Sequence, residues 1–360
     1  MDKIRFGIIG GGWRANFYLT IAKASPERFE VAGVVVRDEA KAAAFAEEWH
    51  VPVYGTLDEL ITNGSPSFVV VSVPWAASPG ILKQLAERGV PALSETPPAP
   101  DLAGLTQLHA ELTQLGARVQ VAEQYPLQPL HAARQACIAT GRLGRVSQVQ
   151  VSVAHGYHGL ALMRRWLGIG FETAEIRAFA YESPIVKGPG RAGAPEAEEM
   201  AVSKQTIATL RFENGQLGIF DFTGDQYFSW IRSNRVLIRG DRGEIVNDTM
   251  TYLQDYLTPI ELPLIRKNAG ENGNLEGYYL KGIMAGEQWV YKNPLAPARL
   301  TDDELAVASC LLRMDEYLRT GQSYYSLADA SQDHYLNLLI QQAVASGETV
   351  VSVRQPWAGE

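Results

Sequence analysis

The sequence has little cysteine and no long apolar run. Among its 360 residues, only Cys137 and Cys310 are cysteines, and they form no C-x-x-C pair. Neither a disulfide framework nor a zinc site is indicated, and no His, Asp and Glu cluster has metal-site spacing. No stretch approaches the ~20 apolar residues that span a bilayer, and residues 4–9 are too short for a signal peptide core. We expect a cytoplasmic protein without metal or membrane contact.

The chain also lacks an excess of basic residues. Its 32 Lys and Arg are outnumbered by 40 Asp and Glu, which gives a formal net charge of −8. This balance opposes binding to nucleic acid or to an anionic lipid surface. Apolar residues make up 46% of the chain, so there is material for a core, and 360 residues suffice for two domains.

What the chain does have is a glycine turn near its start. Residues 4–9 form an apolar run typical of a buried parallel strand, and an apolar helical pattern begins after the glycines. Gly10, Gly12 and Ala15 fit the pattern G-x-G-x-x-G/A, and residues 29–36 supply the second strand of a βαβ unit. Gly10 permits a tight turn, whereas Gly12 lets the backbone approach a pyrophosphate. We predict a dinucleotide site whose remaining contacts at this helix N-terminus are Gly11, Trp13 and Arg14.

The end of the second strand bears on the choice between NAD and NADP. An acidic residue is expected there to bind the ribose hydroxyls of NAD, but the sequence has Val36, followed by Arg37 and Asp38. Arg37 could face a 2′-phosphate, so NADP is favoured. Asp38 could still reach the ribose, so NAD remains open.

Strand and helix patterns alternate through the first 120 or so residues. Buried strands are predicted at residues 68–73, 91–94 and 118–121, with helices between them. This alternation predicts an α/β Rossmann domain, a doubly wound parallel sheet, over residues 1–124. Val73 and Pro74 end one strand, and Glu95 and Thr96 follow the next. Because ligands bind at the carboxyl ends of such strands, we place all four residues at the cofactor cleft.

The pattern changes beyond residue 146. Val149, Val151 and Val153 alternate with polar residues, and similar stretches recur to about residue 239. Residues 125–360 are predicted to form an α+β substrate-binding and oligomerisation domain with a mainly antiparallel, open-faced sheet. Its uncovered face predicts a homo-oligomer, a dimer or tetramer. Residues 183–199 are predicted to be a mobile loop that could act as a lid.

Several motifs follow one another in a distinctive order. They are the turn at residues 10–13, the strand end at Val73 and Pro74, the run at residues 94–97, the stretch at residues 123–125, the segments at residues 156–158 and 165–168, and the turn at residues 240–244. This order resembles that of the glucose–fructose oxidoreductase and inositol dehydrogenase family, Gfo/Idh/MocA. The resemblance covers nearly the whole chain and implies an NAD(P)-dependent oxidoreductase that acts on a sugar, polyol or related small molecule.

The catalytic positions depart from the family pattern. The family's Glu-Lys-Pro lysine is replaced by Thr96, and Ala154 stands at the aspartate of Asp-x-x-x-His, whereas His158 remains. The resemblance thus implies His158 as the main acid/base, with Thr96 as a weaker hydrogen-bond donor. Tyr125 is a further candidate for substrate contact. His155 is the less favoured base, and Arg164 and Arg165 are other candidates to replace the lysine.

Simpler interpretations of these residues stay open. His158 could merely cap a helix, and Tyr125 could be packing between domains. Two further functions also stay open: a glycosidase or lyase that oxidises its substrate transiently with bound NAD, and an NAD(P)-binding protein without catalysis.

Overall fold

The computed structural model describes residues 3–359 and contains two β-sheets. The first sheet has six strands, all parallel, in the order β3-β2-β1-β4-β5-β6. The chain reverses its direction of winding between β1 and β4, the point where such sheets bind ligands. The strands are β1 (Ile4–Ile9), β2 (Phe29–Val35), β3 (Val53–Tyr54), β4 (Phe68–Val71), β5 (Ala92–Ser94) and β6 (Val119–Val121).

Five helices connect these strands. Asp38 and Asp101 begin two of them as N-caps, accepting hydrogen bonds from the backbone N–H of Lys41 at 2.9 Å and of Gly104 at 2.8 Å. The alternation of these helices with six parallel strands confirms the predicted Rossmann fold. The helices are α1 (Trp13–Ala24), α2 (Glu39–Trp49), α3 (Leu57–Glu59), α4 (Ser78–Glu87) and α5 (Leu102–Gln114).

The second sheet has eleven strands and is mainly antiparallel, as predicted. Its order is β16-β15-β14-β13-β12-β11-β7-β10-β9-β8-β17, and among the described pairs only β7 and β10 run parallel. The strands are β7 (Val146–Ser152), β8 (Ala174–Val186), β9 (Met200–Phe212), β10 (Leu217–Thr223), β11 (Arg235–Gly240), β12 (Gly243–Val246), β13 (Thr249–Leu253), β14 (Pro259–Asn268), β15 (Leu280–Ala285), β16 (Gln288–Lys292) and β17 (Val350–Val351).

The predicted loop at residues 183–199 is partly wrong. Residues 183–186 belong to β8 and pair in register with residues 200–203 of β9, so the connecting loop covers residues 187–199 only. The sequence hides this end of β8 because six of its eight side chains from residue 179 onward are exposed. Without a continuous buried face, this part of the strand has no apolar alternation to detect.

Four helices complete the second part of the chain. Capping boxes begin the last two, with Thr301 and Glu304 in one and Ser326 and Asp329 in the other. The helices are α6 (Pro129–Ala139), α7 (Gly156–Leu167), α8 (Asp302–Thr320) and α9 (Leu327–Ser346).

Helix α8 packs on the first sheet although it lies late in the sequence. Leu311 and Met314 of α8 are fully buried in one core cluster with Phe6 and Ile8 of β1. The Rossmann sheet thus obtains part of its cover from beyond residue 300. The division of the chain at residue 124 stays a prediction.

One face of the second sheet is left open. Helices α7 and α9 cover the side of Ile176 and Leu210, which are fully buried. Successive side chains of a strand point to opposite faces, so Phe179 and Tyr181 lie on the other side, 56% and 54% exposed. Within residues 3–359, no helix is both long and apolar enough to cross a membrane.

Candidate active site

A cleft of about 1140 Å³ lies at the carboxyl ends of β1, β2, β4 and β5. Residues of the second part of the chain, from α7 and from the turn after β10, form its opposite wall. Every site residue that the sequence predicts lines this cleft: Gly10, Gly11, Gly12, Trp13, Arg14, Val36, Arg37, Val73, Pro74, Glu95, Thr96, Tyr125 and His158.

The two glycines of the fingerprint are required for different reasons. Gly10 has φ +112°, and a Cβ there would lie 2.0 Å from the carbonyl oxygen of Ser72. Gly12 has an ordinary extended backbone, φ −88°, and a Cβ there would meet no protein atom within 4 Å. The fold therefore needs Gly10. At Gly12, the missing side chain leaves space that only a ligand would use.

The N-terminus of α1 is open to an anion. Gly12 is its N-cap and offers no capping side chain, and the first turn contains no acidic residue. The backbone N–H groups of this turn and the positive end of the helix dipole thus remain available. Together with the empty space beside Gly12, they fit the pyrophosphate of a dinucleotide.

Arg14 and Glu95 hold this end of the cleft together. Arg14 Nε donates to Glu95 Oε1 at 3.0 Å, and its Nη1 lies 3.5 Å from Asp303 Oδ2 of α8. Tyr18 donates to the same oxygen of Glu95. The charge of Arg14 is therefore balanced by protein carboxylates, and the pair links α1 to β5 and α8.

The end of β2 presents two cations to the cleft. Arg37 and Lys41 are exposed there, and no ion pair is recorded for either within the described residues. Asp38 lies between them, but one of its oxygens accepts the hydrogen bond from the backbone of Lys41 that caps α2. The local charge suits a phosphate better than a pair of ribose hydroxyls.

The loop after β8 also reaches this cleft. The guanidinium of Arg191 lies 4.2 Å from the ring centroid of Trp13 and 5.9 Å from that of Phe228. Both aromatic residues line the cleft with Arg191. The predicted lid segment therefore lies against the glycine turn.

At the other end of the cleft, His158 is paired with a buried carboxyl group. His158 Nδ1 and Glu123 Oε2 are 2.6 Å apart, and the two residues are 5% and 2% exposed. Burial raises the pKa of Glu123 to about 8 and lowers the pKa of His158 to about 3. The imidazole of His158 is therefore uncharged at neutral pH.

A chain of hydrogen bonds links three further side chains to this end. Tyr125 donates to the hydroxyl of Tyr227 at 3.3 Å, and that hydroxyl also lies 2.6 Å from His155 Nδ1. The Tyr227 oxygen also accepts from the backbone N–H of His155 at 3.0 Å, so its proton is left to point at Nδ1. Burial lowers the pKa of His155 to about 4, which keeps this ring neutral as well.

Thr96 and Tyr157 meet where the family pattern has its lysine. The hydroxyl of Thr96 lies close enough to that of Tyr157 to act on its pKa, and both residues line the cleft. Burial raises the pKa of Tyr157, so its hydroxyl keeps its proton. This pair offers a neutral hydrogen-bond donor in place of an ammonium group.

The other candidates to replace the lysine lie elsewhere. The guanidinium of Arg164 donates to Asp333 at 2.7 Å and to the carbonyl of Gly170 at 2.6 Å, away from the cleft. Arg165 lines a different, smaller pocket. Ala154 is fully buried, and the carboxyl group that His158 contacts is that of Glu123.

Sequence reasoning missed several residues of this site. Glu123 and Tyr157 stand within motifs that carried the resemblance, and the sequence offered a signal for each. Glu123 is an acidic residue at a strand end, and Tyr157 is the neighbour of His158. Tyr227, Arg191 and Asp303 gave no local signal, because distant elements bring them to the cleft. Within residues 3–359, no group of three or more His, Cys, Asp and Glu could hold a metal ion.

Comparisons with known proteins agree with this geometry. Residues 4–123 match the model of the Gfo/Idh/MocA family, described as an oxidoreductase family with an NAD-binding Rossmann fold. An uncharacterized oxidoreductase of Rhizobium meliloti is 29% identical over 157 residues, 42% of this chain and 45% of that protein. A D-xylose 1-dehydrogenase (NADP(+)) of Haloferax volcanii is 28% identical over 146 residues, 40% of this chain and 44% of that protein. The chain thus aligns with less than half the length of these curated relatives.

Solved structures share the fold over the whole chain. Levoglucosan dehydrogenase, in complex with NADH and levoglucosan, superimposes with a TM-score of 0.69 at 16% identity, covering 97% of this chain and 99% of that chain. An oxidoreductase from Agrobacterium radiobacter, in complex with NAD+, L-tartaric acid and magnesium, gives a TM-score of 0.66 at 17% identity, covering 97% and 98%. Residues 4–123, with their glycine turn and 3-2-1-4-5-6 strand order, therefore match the NAD-binding Rossmann fold of the Gfo/Idh/MocA oxidoreductases.

Proposed function

We propose that the protein is an NAD(P)-dependent oxidoreductase that transfers hydride at a hydroxyl-bearing carbon of a sugar, polyol or related small molecule. The observation that carries this proposal is the composition of one cleft. One end of the cleft has a glycine turn and an uncapped helix N-terminus suited to a dinucleotide. Its other end has a buried, neutral histidine with one ring nitrogen bound to a carboxyl group.

The chemistry follows from these two ends. A bound nicotinamide supplies the hydride acceptor for oxidation and the hydride donor for reduction. Gly10, Gly12 and the first turn of α1 would bind and orient the dinucleotide. His158 Nε2, the ring nitrogen not bound to Glu123, removes the hydroxyl proton as hydride leaves the neighbouring carbon. Thr96 and Tyr157 donate hydrogen bonds that stabilise charge on the reacting oxygen.

The same cleft supports NADP as the preferred cofactor. Arg37 and Lys41 flank the end of β2, and the carboxylate of Asp38 is engaged in capping α2. A 2′-phosphate would find two cations here and only one partly occupied anion. The NADP-dependent D-xylose dehydrogenase among the relatives is in keeping with this choice.

A carbohydrate-like substrate suits the polar groups at the nicotinamide end. Tyr125, Tyr157 and Tyr227 present hydroxyl groups to the cleft beside two imidazoles, and Trp75 adds an aromatic face. Neutral donors and acceptors of this kind recognise hydroxyl groups. The named activities of two relatives, on D-xylose and levoglucosan, point to the same class.

Assembly and location complete the proposal. The open face around Phe179 and Tyr181 would pair with a second copy of the chain, giving a homo-oligomer. Cys137 and Cys310 are buried free thiols, which suits the reducing conditions of the cytoplasm.

The function is tested by the variant His158→Ala. Turnover on a panel of sugars and polyols is followed by the absorbance of the reduced nicotinamide, and cofactor affinity is measured by calorimetry. His158→Ala should lower kcat on the order of a hundredfold or more, because a positioned acid/base contributes about that factor. Its affinity for NADP should stay close to that of the wild type.

The matched control is His50→Asn. His50 is exposed at the end of α2 with φ 53°, a conformation that asparagine tolerates. It should retain full turnover. Full activity of His158→Ala would rule out the proposed acid/base, and tight cofactor binding without any turnover by the wild type would favour a non-catalytic protein.

A further inference from the structure

Glu123 lies between two cavities. On one side its carboxyl group meets His158 Nδ1 at 2.6 Å, and the His158 ring lines the large cleft whereas Glu123 does not. Glu123 also lines a smaller pocket of about 220 Å³, here called the rear pocket. Its wall also includes Arg165, Arg313, Glu316, Tyr324 and Tyr325.

The rear pocket reaches the protein surface. Arg165 and Arg313 on its wall are exposed, and Arg313 forms an ion pair with Glu316 at 2.7 Å. Glu123, on the wall of the same pocket, is only 2% exposed. A water molecule in the pocket would be separated from the cleft by two groups, the carboxyl of Glu123 and the imidazole of His158.

The carboxyl group of Glu123 has a defined orientation. Its Oε1 accepts a hydrogen bond from the backbone N–H of Tyr125 at 3.1 Å, which leaves Oε2 for His158. Within the described residues no Lys or Arg is in ion-pair range of Glu123, so its pairing is with an imidazole alone. The charged or titratable side chains that act on the pair are Arg14, Glu95, Tyr125, His155, Tyr157, Tyr227, Asp303, Cys310, Tyr325 and Asp333.

We propose that Glu123 and His158 form one proton relay that moves the substrate proton between the cleft and the rear pocket. This inference rests on the proposed function, since the relay serves the hydroxyl or carbonyl at which hydride is transferred. Glu123 acts through His158 and is therefore a positioning residue that also holds the proton.

The protons and electrons balance in both directions. In oxidation, the hydroxyl proton passes to Nε2 while the proton on Nδ1 passes to Glu123 Oε2, and the electron pair leaves as hydride to the oxidised nicotinamide. Glu123 then releases its proton to water in the rear pocket. In reduction each transfer runs backwards, so the new hydroxyl receives the proton from Nε2. The imidazole stays neutral throughout and only changes its tautomer.

The pKa values of the pair agree with this exchange. Because burial raises the pKa of Glu123 to about 8, the carboxyl group holds a proton below that pH and donates it to Nδ1. Nε2 then carries a hydrogen and can act as an acid for reduction. Above pH 8 the carboxylate accepts from Nδ1–H, and Nε2 becomes a free base for oxidation. Since the pKa of His158 is lowered to about 3, a cationic ring takes no part.

The first test needs no substrate. Nitrogen-15 NMR of histidine-labelled protein, in wild type, Glu123→Gln and the exposed control Glu47→Gln, reports the tautomer of His158. The wild type and the control should change from the Nε2–H to the Nδ1–H tautomer as pH rises through about 8, without a cationic ring above pH 5. Glu123→Gln should lose this transition. A wild-type His158 that becomes cationic near its ordinary pKa, or a transition that survives in Glu123→Gln, would overturn the relay.

The second test uses turnover and a small diffusible acid. Glu123→Ala should lower kcat on the order of a hundredfold with little change in KM. The cavity it leaves adjoins the rear pocket, so formate can enter and should restore at least about a tenth of the lost activity. Formamide has nearly the same shape but cannot exchange the proton, and it should restore none. Equal rescue by both would assign Glu123 a purely structural role.

Folding and function are kept separate in these tests. Should Glu123→Ala fold poorly, Glu123→Asp takes its place, with the same tautomer transition expected at a shifted pH. If no panel substrate reacts in the wild type, the proposed function fails while the NMR measurement still decides whether the pair exchanges its proton as described.

Discussion

At the scale of single residues, Gly10 and Gly12 separate what the fold requires from what a ligand requires. A side chain at residue 10 would collide with the backbone of Ser72, whereas one at residue 12 would enter the cleft. A substitution at residue 12 can therefore disturb binding without disturbing the fold, whereas one at residue 10 would disturb both.

Gly12→Val should weaken dinucleotide binding and leave the protein folded. The backbone at residue 12, φ −88° and ψ 176°, suits a β-branched residue, so strain is absent. The added methyl groups would occupy the space of the pyrophosphate and weaken NAD and NADP alike by at least about tenfold, or 1.4 kcal/mol. Calorimetric titration measures the loss, and thermal unfolding checks the fold.

Gly80→Ala is the matched control for this experiment. Gly80 lies on α4, a Cβ there also meets nothing within 4 Å, and the residue is not on the wall of the cleft. Its cofactor affinity should equal that of the wild type. Unchanged affinity in Gly12→Val would refute the predicted pyrophosphate site.

The sequence predicted the two ends of the cleft unequally. The cofactor end is local in sequence, since the turn, the helix and both strands fall within the first 36 residues, and its pattern follows from backbone chemistry. The catalytic end joins distant positions. Glu123 follows β6 while His158 lies on α7, and nothing in the spacing of the two residues indicates a contact at 2.6 Å.

At the scale of elements, the end of β2 decides the choice of cofactor. Arg37 follows this strand, and Lys41 lies one turn into α2, which Asp38 caps. The two cations therefore lie beside a helix cap in which one oxygen of Asp38 is already engaged.

Arg37→Ala should weaken NADP binding more than NAD binding. A charge-assisted contact to the 2′-phosphate is worth about 1.5–3 kcal/mol, so NADP affinity should fall roughly ten- to a hundredfold. NAD lacks that phosphate, and its affinity should change little. Calorimetric titration of both cofactors gives the comparison, and an equal loss for the two would refute the preference for NADP.

Elements with local signals were predicted well, and elements defined by pairing were not. The caps at Thr301 and Ser326 were visible because hydrogen-bonding residues recur three positions apart. The last four residues of β8, 183–186, were taken for a loop, because this end of the strand carries no periodic apolar face. The packing of α8 on β1 depends on a contact across some three hundred residues, which no local pattern records.

At the scale of the whole molecule, the open face of the second sheet indicates assembly. Phe179 and Tyr181 are more than half exposed on a sheet face without helices. We predict that sedimentation equilibrium at micromolar concentration finds a dimer or tetramer. The double variant Phe179→Ser, Tyr181→Ser should shift the distribution toward the monomer, and a wild-type monomer would contradict the proposed interface.

For the molecule as a whole, our central proposal is that the cleft transfers hydride between a nicotinamide and a carbohydrate-like carbon. The most direct measurement uses a reduced cofactor deuterated at its transferable position, incubated with the protein and a mixture of aldoses, ketoses and lactones. Mass spectrometry of the products should find one deuterium at the former carbonyl carbon with the wild type, and far less with His158→Ala. If the wild type binds the cofactor and no product carries deuterium, the account of this protein as an oxidoreductase is wrong.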